Sequence, residues 1–432
     1  MNLPGVGSKG GLAIGDINGD GLPDLVSDGG YVAYGIGGGY FSRPVSYPIE
    51  GGGGVWNVAL ADLRKIGRTD IVTGGYDAVS VLLNEGKGVL EDGIRTSVAG
   101  GASCGAAADF NGDGKPDLAV NTSSGISILL GTGKAATPFT AGTTIALAGA
   151  GCPVVGDLNG DGIPDLLVGA NGSPNALYTY LGNGDGTFTL KGSTATPNSG
   201  GYVVLADFNH DGKLDFATSG NLLALGNGDG TFQAPLAFVT NPPSTGFSGI
   251  AVGDINNDGW PDLVLTNAGI PYNNVFVVLN NQHGGFTQVP TTFGALSDQP
   301  ILVDLNGDGK LDLVLGGAGG SGAVLYLGDG AGGFTLQATL PGLLGAGNGV
   351  NCVADVNGDG IPDVLALGSD TLYVYLGHGG ATYAAPFSIG TGPSPGGILT
   401  ENLHGQLPTA GLPDIVAPDL SGAVVTLLNL TK

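Results

Sequence analysis

Asp16-Ile17-Asn18-Gly19-Asp20-Gly21-Leu22-Pro23-Asp24 is one of seven copies of a single pattern, D-x-N-x-D-G-x-x-D, spread along the chain. The others begin at Asp109, Asp157, Asp207, Asp254, Asp304 and Asp355. A related stretch begins at Asp62, and a more distant one at Glu401. Successive starts lie 46 to 51 residues apart, so nine units of about 48 residues fill all 432 positions as one array, residues 1–432. A fixed period of this size is the mark of a repeat architecture.

The residue types say what the bend is for. Calcium takes six to eight hard oxygens in a flexible shell. Positions one, three and five offer side-chain oxygens: Asp16, Asn18 and Asp20; Asp109, Asn111 and Asp113; Asp157, Asn159 and Asp161; Asp207, Asn209 and Asp211. The later copies continue with Asp254, Asn256 and Asp258; Asp304, Asn306 and Asp308; Asp355, Asn357 and Asp359. Glycine at position six permits the positive φ that turns the chain. Position seven then offers a carbonyl, from Leu22, Lys115, Ile163, Lys213, Trp260, Lys310 or Ile361. Position nine closes the shell with Asp24, Asp117, Asp165, Asp215, Asp262, Asp312 or Asp363. Three carboxylates without Cys or His select Ca²⁺ over zinc or copper. About seven structural calcium ions are expected. A metal-free Asx turn would explain one copy, but not seven that each hold three mutually repelling acids.

Two units depart from the pattern. The second reads Asp62-Leu63-Arg64-Lys65-Ile66-Gly67-Arg68-Thr69-Asp70, with Arg64 and Ile66 in place of oxygen donors. Its guanidinium is expected to pair with Asp62 and Asp70. The ninth has Glu401 and, after an insertion, Asp414. Neither is expected to hold calcium.

Composition fits many short strands. Glycine supplies 86 residues, apolar residues 42% and charged residues 12%, which gives tight turns and enough apolar surface for a core. In the first unit, strands are expected at Gly11–Gly15, Leu25–Ser27, Tyr31–Tyr34 and Phe41–Ile49. The third strand recurs as Val79–Leu83, Ile126–Leu130, Leu177–Leu181, Val275–Leu279, Leu372–Leu376 and Val424–Leu428. Small residues precede the loop (Gly15, Ala61, Ala108, Gly156), and bulky ones stand one place earlier (Ile14, Leu60, Val155). That period of two suits an innermost strand crowded about an axis. Four strands per unit make a propeller blade, so an all-β propeller of four-stranded antiparallel blades is expected, with nine repeats counted. Eight blades, or seven plus two, are the alternatives. Asn2–Ser8 could supply the strand that the last unit lacks.

A second recurring string, Leu181–Phe188 and Leu225–Phe232, reads as the hairpin after the third strand, because its relatives lose the Asp and keep the Gly. Together the two strings resemble the FG-GAP/VCBS repeat family, which includes the integrin α-subunit head and propeller lectins. The resemblance implies calcium between the first and second strands of each blade, and a binding or adhesion role.

The formal charge is −24, which seven divalent ions would reduce to −10. Without clustered Lys and Arg, a nucleic-acid partner is excluded. No apolar run is long enough to span a bilayer. No secretory leader is visible at Met1; the expected location is nonetheless extracellular or at the cell surface, where weak calcium sites fill. Cys104 and Cys152 each stand five residues before a loop. They are either bridged, if their Cα atoms approach within about 7 Å, or buried as small hydrophobes. A carbohydrate or protein ligand is expected on the variable loops, with Trp56, Tyr76, Tyr202 and Tyr272 the aromatics to test, against the commoner role of aromatics in packing. No catalytic residues are assigned. His210, His283, His378 and His404 join no triad or zinc motif. A polysaccharide-lyase-like enzyme and a purely structural surface repeat protein are the rival readings.

Overall fold

The computed structural model describes residues 12–390, apart from short breaks (28–30, 39, 43–44, 48–54, 76–77, 88, 91–93, 103, 172–174, 197–201, 240–246, 268–273, 283–284, 290–292, 294–295, 318–322, 341–349, 356–358 and 368–370), together with 415–418 and 424–427. Every regular element among them is a β-strand. The strands form nine repeat sheets in chain order, plus two small hairpins. Seven of the nine are four-stranded antiparallel blades; the fifth has three strands and the last has two. Among the described residues seven blades are complete, as in the seven-plus-two alternative to nine. Asn2–Ser8 lie outside the described residues.

The third sheet shows the common plan. Gly105–Ala108 is its inner strand, followed outward by Asp117–Thr122, Gly125–Gly131 and Phe139–Ala146. Asp117–Thr122 is buried at all six positions, whereas the outer strand is exposed over most of its length. The centre of Asp117–Thr122, Leu118-Ala119-Val120, is an unbroken apolar run because a neighbouring sheet covers each of its faces. Leu118 and Val120 pack back on the second sheet, while Ala119 packs forward on the fourth.

The core is correspondingly divided. Seven separate apolar clusters lie among the described residues, and each spans the junction of two consecutive sheets. Inner strands stand side by side, as Leu12–Gly15 does with Val55–Ala61 and Ala150–Gly156 with Val203–Ala206. Glycine is needed at their loop ends. A Cβ on Gly15 would meet Leu60 Cδ1 at 2.8 Å, and one on Gly156 would meet Leu205 Cδ1 at 2.9 Å. The small residue of one sheet thus makes room for the bulky residue of the next, which is the physical reason for the alternation in sequence.

Two outer strands differ from expectation. Among the described residues of the expected strand Phe41–Ile49, Phe41 closes a hairpin, Tyr40–Phe41 with Gly35–Gly37, and Val45–Ser46 pairs with Tyr31–Ala33; Ile49 lies outside the described residues. Pro44 and Pro48, which lack an N–H, bracket that short strand. Among the described residues of the fifth sheet the outer strand is reduced to two isolated bridges, Leu223 with Leu236 and Gly226 with Phe232. Pro235 removes a donor there. The Asn221 side chain takes the place of strand pairing, accepting from Val239 N at 2.8 Å and donating to Val239 O at 3.1 Å.

Cys104 and Cys152 are joined in a disulfide, with Cα atoms 5.6 Å apart. The bridge ties the inner edges of the third and fourth sheets, at the end of the strands remote from the D-x-N-x-D-G loops. At the same junction Asn121 Nδ2 donates to the carbonyls of Ala150 and Gly151, at 2.6 and 2.8 Å.

Candidate metal loops and surface aromatics

Each loop hangs between an inner strand and the second strand of its sheet in one register. The residue before the loop pairs with its last Asp: Gly15 with Asp24, Ala108 with Asp117, Gly156 with Asp165, Ala206 with Asp215, Gly253 with Asp262 and Ala354 with Asp363. Position six has positive φ throughout, from Gly21 at 85° to Gly360 at 83°. Position four does too in every loop where it is described, even where it is not glycine, as at His210 (54°) and Asn257 (55°). Asn and His tolerate this region better than branched residues do.

The first carboxylate organises the bend. Asp16 Oδ1 accepts from Gly19 N at 2.6 Å and Asp20 N at 3.2 Å, and Oδ2 accepts from Gly21 N at 2.8 Å. Asn18 Oδ1 accepts from Asp20 N, and Asp20 Oδ1 from Leu22 N, both at 2.8 Å. The contacts of Asp157, Asn159 and Asp161 repeat this arrangement. So do those of Asp304, Asn306 and Asp308. Asp109, Asp207, Asp254 and Asp355 accept in the same way from positions five and six. Asn357 lies outside the described residues.

Position nine is a different kind of residue from the other two acids. Asp24, Asp117, Asp165, Asp215, Asp262, Asp312 and Asp363 are fully buried. Asp215 Oδ2 accepts from Phe208 N at 2.9 Å, and its Oδ1 from Gly226 N at 2.7 Å. Asp24 does the same with Ile17 and Gly35, and Asp262 with Ile255 and Asn280. This carboxylate therefore ties the loop to the end of the third strand. Burial pushes Asp24, Asp215 and Asp262 up to about 6, against the opposing pull of these N–H bonds. The other acids of the loop push the same way, as Asp113 and Asp109 do on Asp117.

The donor set fits a divalent cation. Each carboxylate has about four lone-pair sites, of which the backbone uses two or three at positions one and nine and one at position five. A cation at the bend would also cancel the mutual repulsion of the three acids. Among the described residues, no three acid, His or Cys side chains converge as a preformed cage. Three loops place a lysine against position five: Lys115 Nζ on Asp113 at 2.7 Å, Lys213 on Asp211 at 3.5 Å and Lys310 on Asp308 at 3.6 Å. These pairs are partly exposed and cost little to part.

The second loop keeps the frame and changes the filling. Asp62 accepts from Ile66 N and Gly67 N, while Asp70 accepts from Leu63 N and Asn84 N. Arg64 reaches Asp70 at 3.0 Å and also Glu85. The expected pairing with Asp70 is present, but Glu85 takes the place that Asp62 was expected to fill. Glu401 and Asp414 lie outside the described residues.

Position two was not singled out from the sequence, and it carries the packing. Ile17, Leu63, Phe110, Leu158, Phe208, Ile255 and Leu305 are each at most 3% exposed. Each joins the cluster shared with the following sheet: Phe110 packs with Leu166 and Tyr180, and Phe208 with Leu263 and Val278. The signal was there in a large apolar residue at position two of every loop. In the second string, Asp185 and Asp229 bond within their own hairpins, to Thr187 and Thr231, as a turn requires.

Of the aromatics, Tyr202 is 41% exposed at the foot of the fifth sheet's inner strand, held by Ser219 at 3.0 Å. Trp56 stands in the strand Val55–Ala61. Tyr76 and Tyr272 lie outside the described residues. An unforeseen aromatic pair joins two loops: His210 stacks on Trp260, with centroids 3.9 Å apart and planes 13° from parallel.

No helix among the described residues is long and apolar enough to cross a membrane. No curated protein matches the chain in sequence. Among solved structures it is similar to an Agrocybe aegerita lectin described as recognising non-reducing terminal N-acetylglucosamine (22% identity, TM-score 0.53, covering 77% of this chain and 93% of that one). It is also similar to the exotype rhamnogalacturonan lyase YesX (12%, 0.50, 85% and 76%) and to Saccharomyces cerevisiae Sqt1 (10%, 0.55, 91% and 100%). At these identities the likeness is one of fold. The model of the FG-GAP-like repeat matches residues 66–120, 109–168, 157–218, 217–265 and 304–366, more than half of the chain. With the seven blades and their common loop register, the chain belongs to the FG-GAP-like repeat family of β-propeller proteins.

Proposed function

We propose that this protein is an extracellular, calcium-stapled propeller that acts as a binding module, with carbohydrate as the first ligand class to test. The observation that carries the calcium reading is the repeated placing of three carboxylates at one bend, where the outer acids act against the ionisation of the buried third. A divalent cation would neutralise such a bend more fully than the single, partly exposed lysine that reaches position five in three of the loops. The disulfide supports an oxidising compartment, where millimolar calcium is available. The ligand reading is supported by the fold it shares with a lectin and by an exposed tyrosine at the end of the blades remote from the loops.

A glycan array probed in calcium and again in chelator tests both parts. Calcium-dependent glycan binding, weakened at least tenfold by Tyr202→Ala, is the expected outcome. Absence of any glycan signal in calcium would remove the carbohydrate reading and leave a protein ligand.

A further inference from the structure

We propose that the second loop is the metal-independent member of the series, in which the Arg64 guanidinium stands in for the cation. This rests on the calcium reading of the other seven loops and goes beyond it, because it assigns the charge that fills the eighth.

Four observations carry it. The backbone frame is that of an intact loop, as shown by the bonds to Asp62 and Asp70 and by Gly67 at position six with φ 75°. Arg64 occupies position three, where the intact loops have a ligand Asn. Its side chain is only 9% exposed and bonds Asp70, Glu85 and the carbonyl of Asn84. Its Nε is buried without a hydrogen-bond partner, so the head group is held by its two terminal nitrogens against the acids. Glu85 is the added carboxylate. The corresponding residue after the third strand is Ile36, Thr132, Asn183 or Asn227 in four other sheets; the seventh has Asp329 there, which accepts from Ala331 N and Gly333 N within its own hairpin.

The charges agree. The intact loops carry three Asp against no basic residue, as in the first, or against one Lys, as with Lys115, Lys213 and Lys310, and so remain at net −2 or −3. The second carries Asp62, Asp70 and Glu85 against Arg64, Lys65 and Arg68, which makes it neutral without an ion. Arg68 also approaches Glu85, at 3.6 Å. A guanidinium keeps its charge at any pH the protein meets and forks onto two carboxylates, so it cannot be removed by a chelator. The junction of the first three sheets is thereby fixed at any calcium concentration, and the remaining loops tighten as the ion binds.

Hydrogen exchange with peptide-level mass spectrometry on the whole protein tests this. In chelator, peptides covering 109–117 and 157–165 should lose protection by at least tenfold, and the peptide covering 62–70 should change less than twofold. The double variant Arg64→Asn with Ile66→Asp should raise the bound calcium from seven ions to eight and make 62–70 sensitive to chelator. Equal loss of protection in 62–70 and in its neighbours would overturn the proposal, as would a variant that still binds seven. If the variant does not fold, the exchange data on the unmodified protein decide. If the unmodified protein binds no calcium and no loop responds to chelator, the calcium reading itself fails. The guanidinium anchor would then be judged by whether Arg64→Ala loosens 62–70 in the absence of any ion.

Discussion

The side-chain amide of Asn280 donates to the backbone carbonyl of Phe208, 2.6 Å away and 72 residues earlier. Asn280 ends the third strand of the sixth sheet, and Phe208 is the second residue of the fifth sheet's loop. The same joint recurs with different donors. Asn84 Nδ2 bonds the carbonyl of Ile17, Gly186 N that of Phe110, and Gly230 N that of Leu158, the last two at 3.0 Å. In these four loops the N–H of position two goes to the buried Asp of its own sheet, the carbonyl to the next sheet, and the side chain to the core between them. Loop and inter-blade seam are one structure.

Phe208→Ala should destabilise the protein by about 3–5 kcal/mol, the usual cost of emptying a buried aromatic site. Asn280→Ala should cost about 1–3 kcal/mol, by leaving a buried carbonyl unpaired. Denaturant unfolding checks both. A change below about 0.5 kcal/mol for Phe208→Ala would mean that the seam does not depend on position two.

The acids of one loop should separate by role. Asp113→Ala should remove about one bound ion, leave six, and lower the melting temperature only when calcium is present. Asp117→Ala should lower it in calcium and in chelator alike, because Asp117 also holds Phe110 N at 2.9 Å and Gly131 N at 2.7 Å. Calorimetry in the two buffers distinguishes them.

Without calcium, stability should fall as pH rises. Asp24, Asp215 and Asp262 have folded pKa values raised from 3.8 to about 6. A raised folded value favours the folded state below the unfolded pKa, and that contribution is lost as pH climbs through the folded one. Melting temperatures in resin-treated, calcium-free buffer should therefore drop between about pH 4 and pH 6.5. Millimolar calcium should remove the drop. A flat or rising profile in calcium-free buffer would contradict the coupling.

Reduction of Cys104–Cys152, or the pair of Ser substitutions, should cost about 2–4 kcal/mol, given the 48-residue separation it closes. Urea unfolding with and without reductant measures it. No loss on reduction would mean that the hydrogen bonds of Asn121 suffice to hold that seam.

Much of this was legible in the sequence, for a physical reason. Loop spacing and the glycine φ requirement are local, so Asp16–Asp24 and its copies could be placed residue by residue. The third strands fell within a residue or two of Ala78–Leu82 and Ala176–Gly182. The roles that depend on a neighbouring sheet were not legible. Phe208 stands between acids in a bend that reads as solvent-exposed, and nothing local says that the sixth sheet covers it. The missing outer strand of the fifth sheet was hidden for a like reason, because Asn221 replaces strand pairing with its side chain. Arg64 was read correctly toward Asp70 but not toward Glu85, which comes within its reach only once the second and third strands are paired.

The most direct measurement is elemental analysis of the purified protein after dialysis against millimolar calcium, paired with a melting curve in excess chelator. Seven calcium ions per chain and a marked fall in melting temperature are expected. No bound calcium, with a melting curve that chelator leaves unchanged, would contradict the proposal that cations hold these acid-lined bends together.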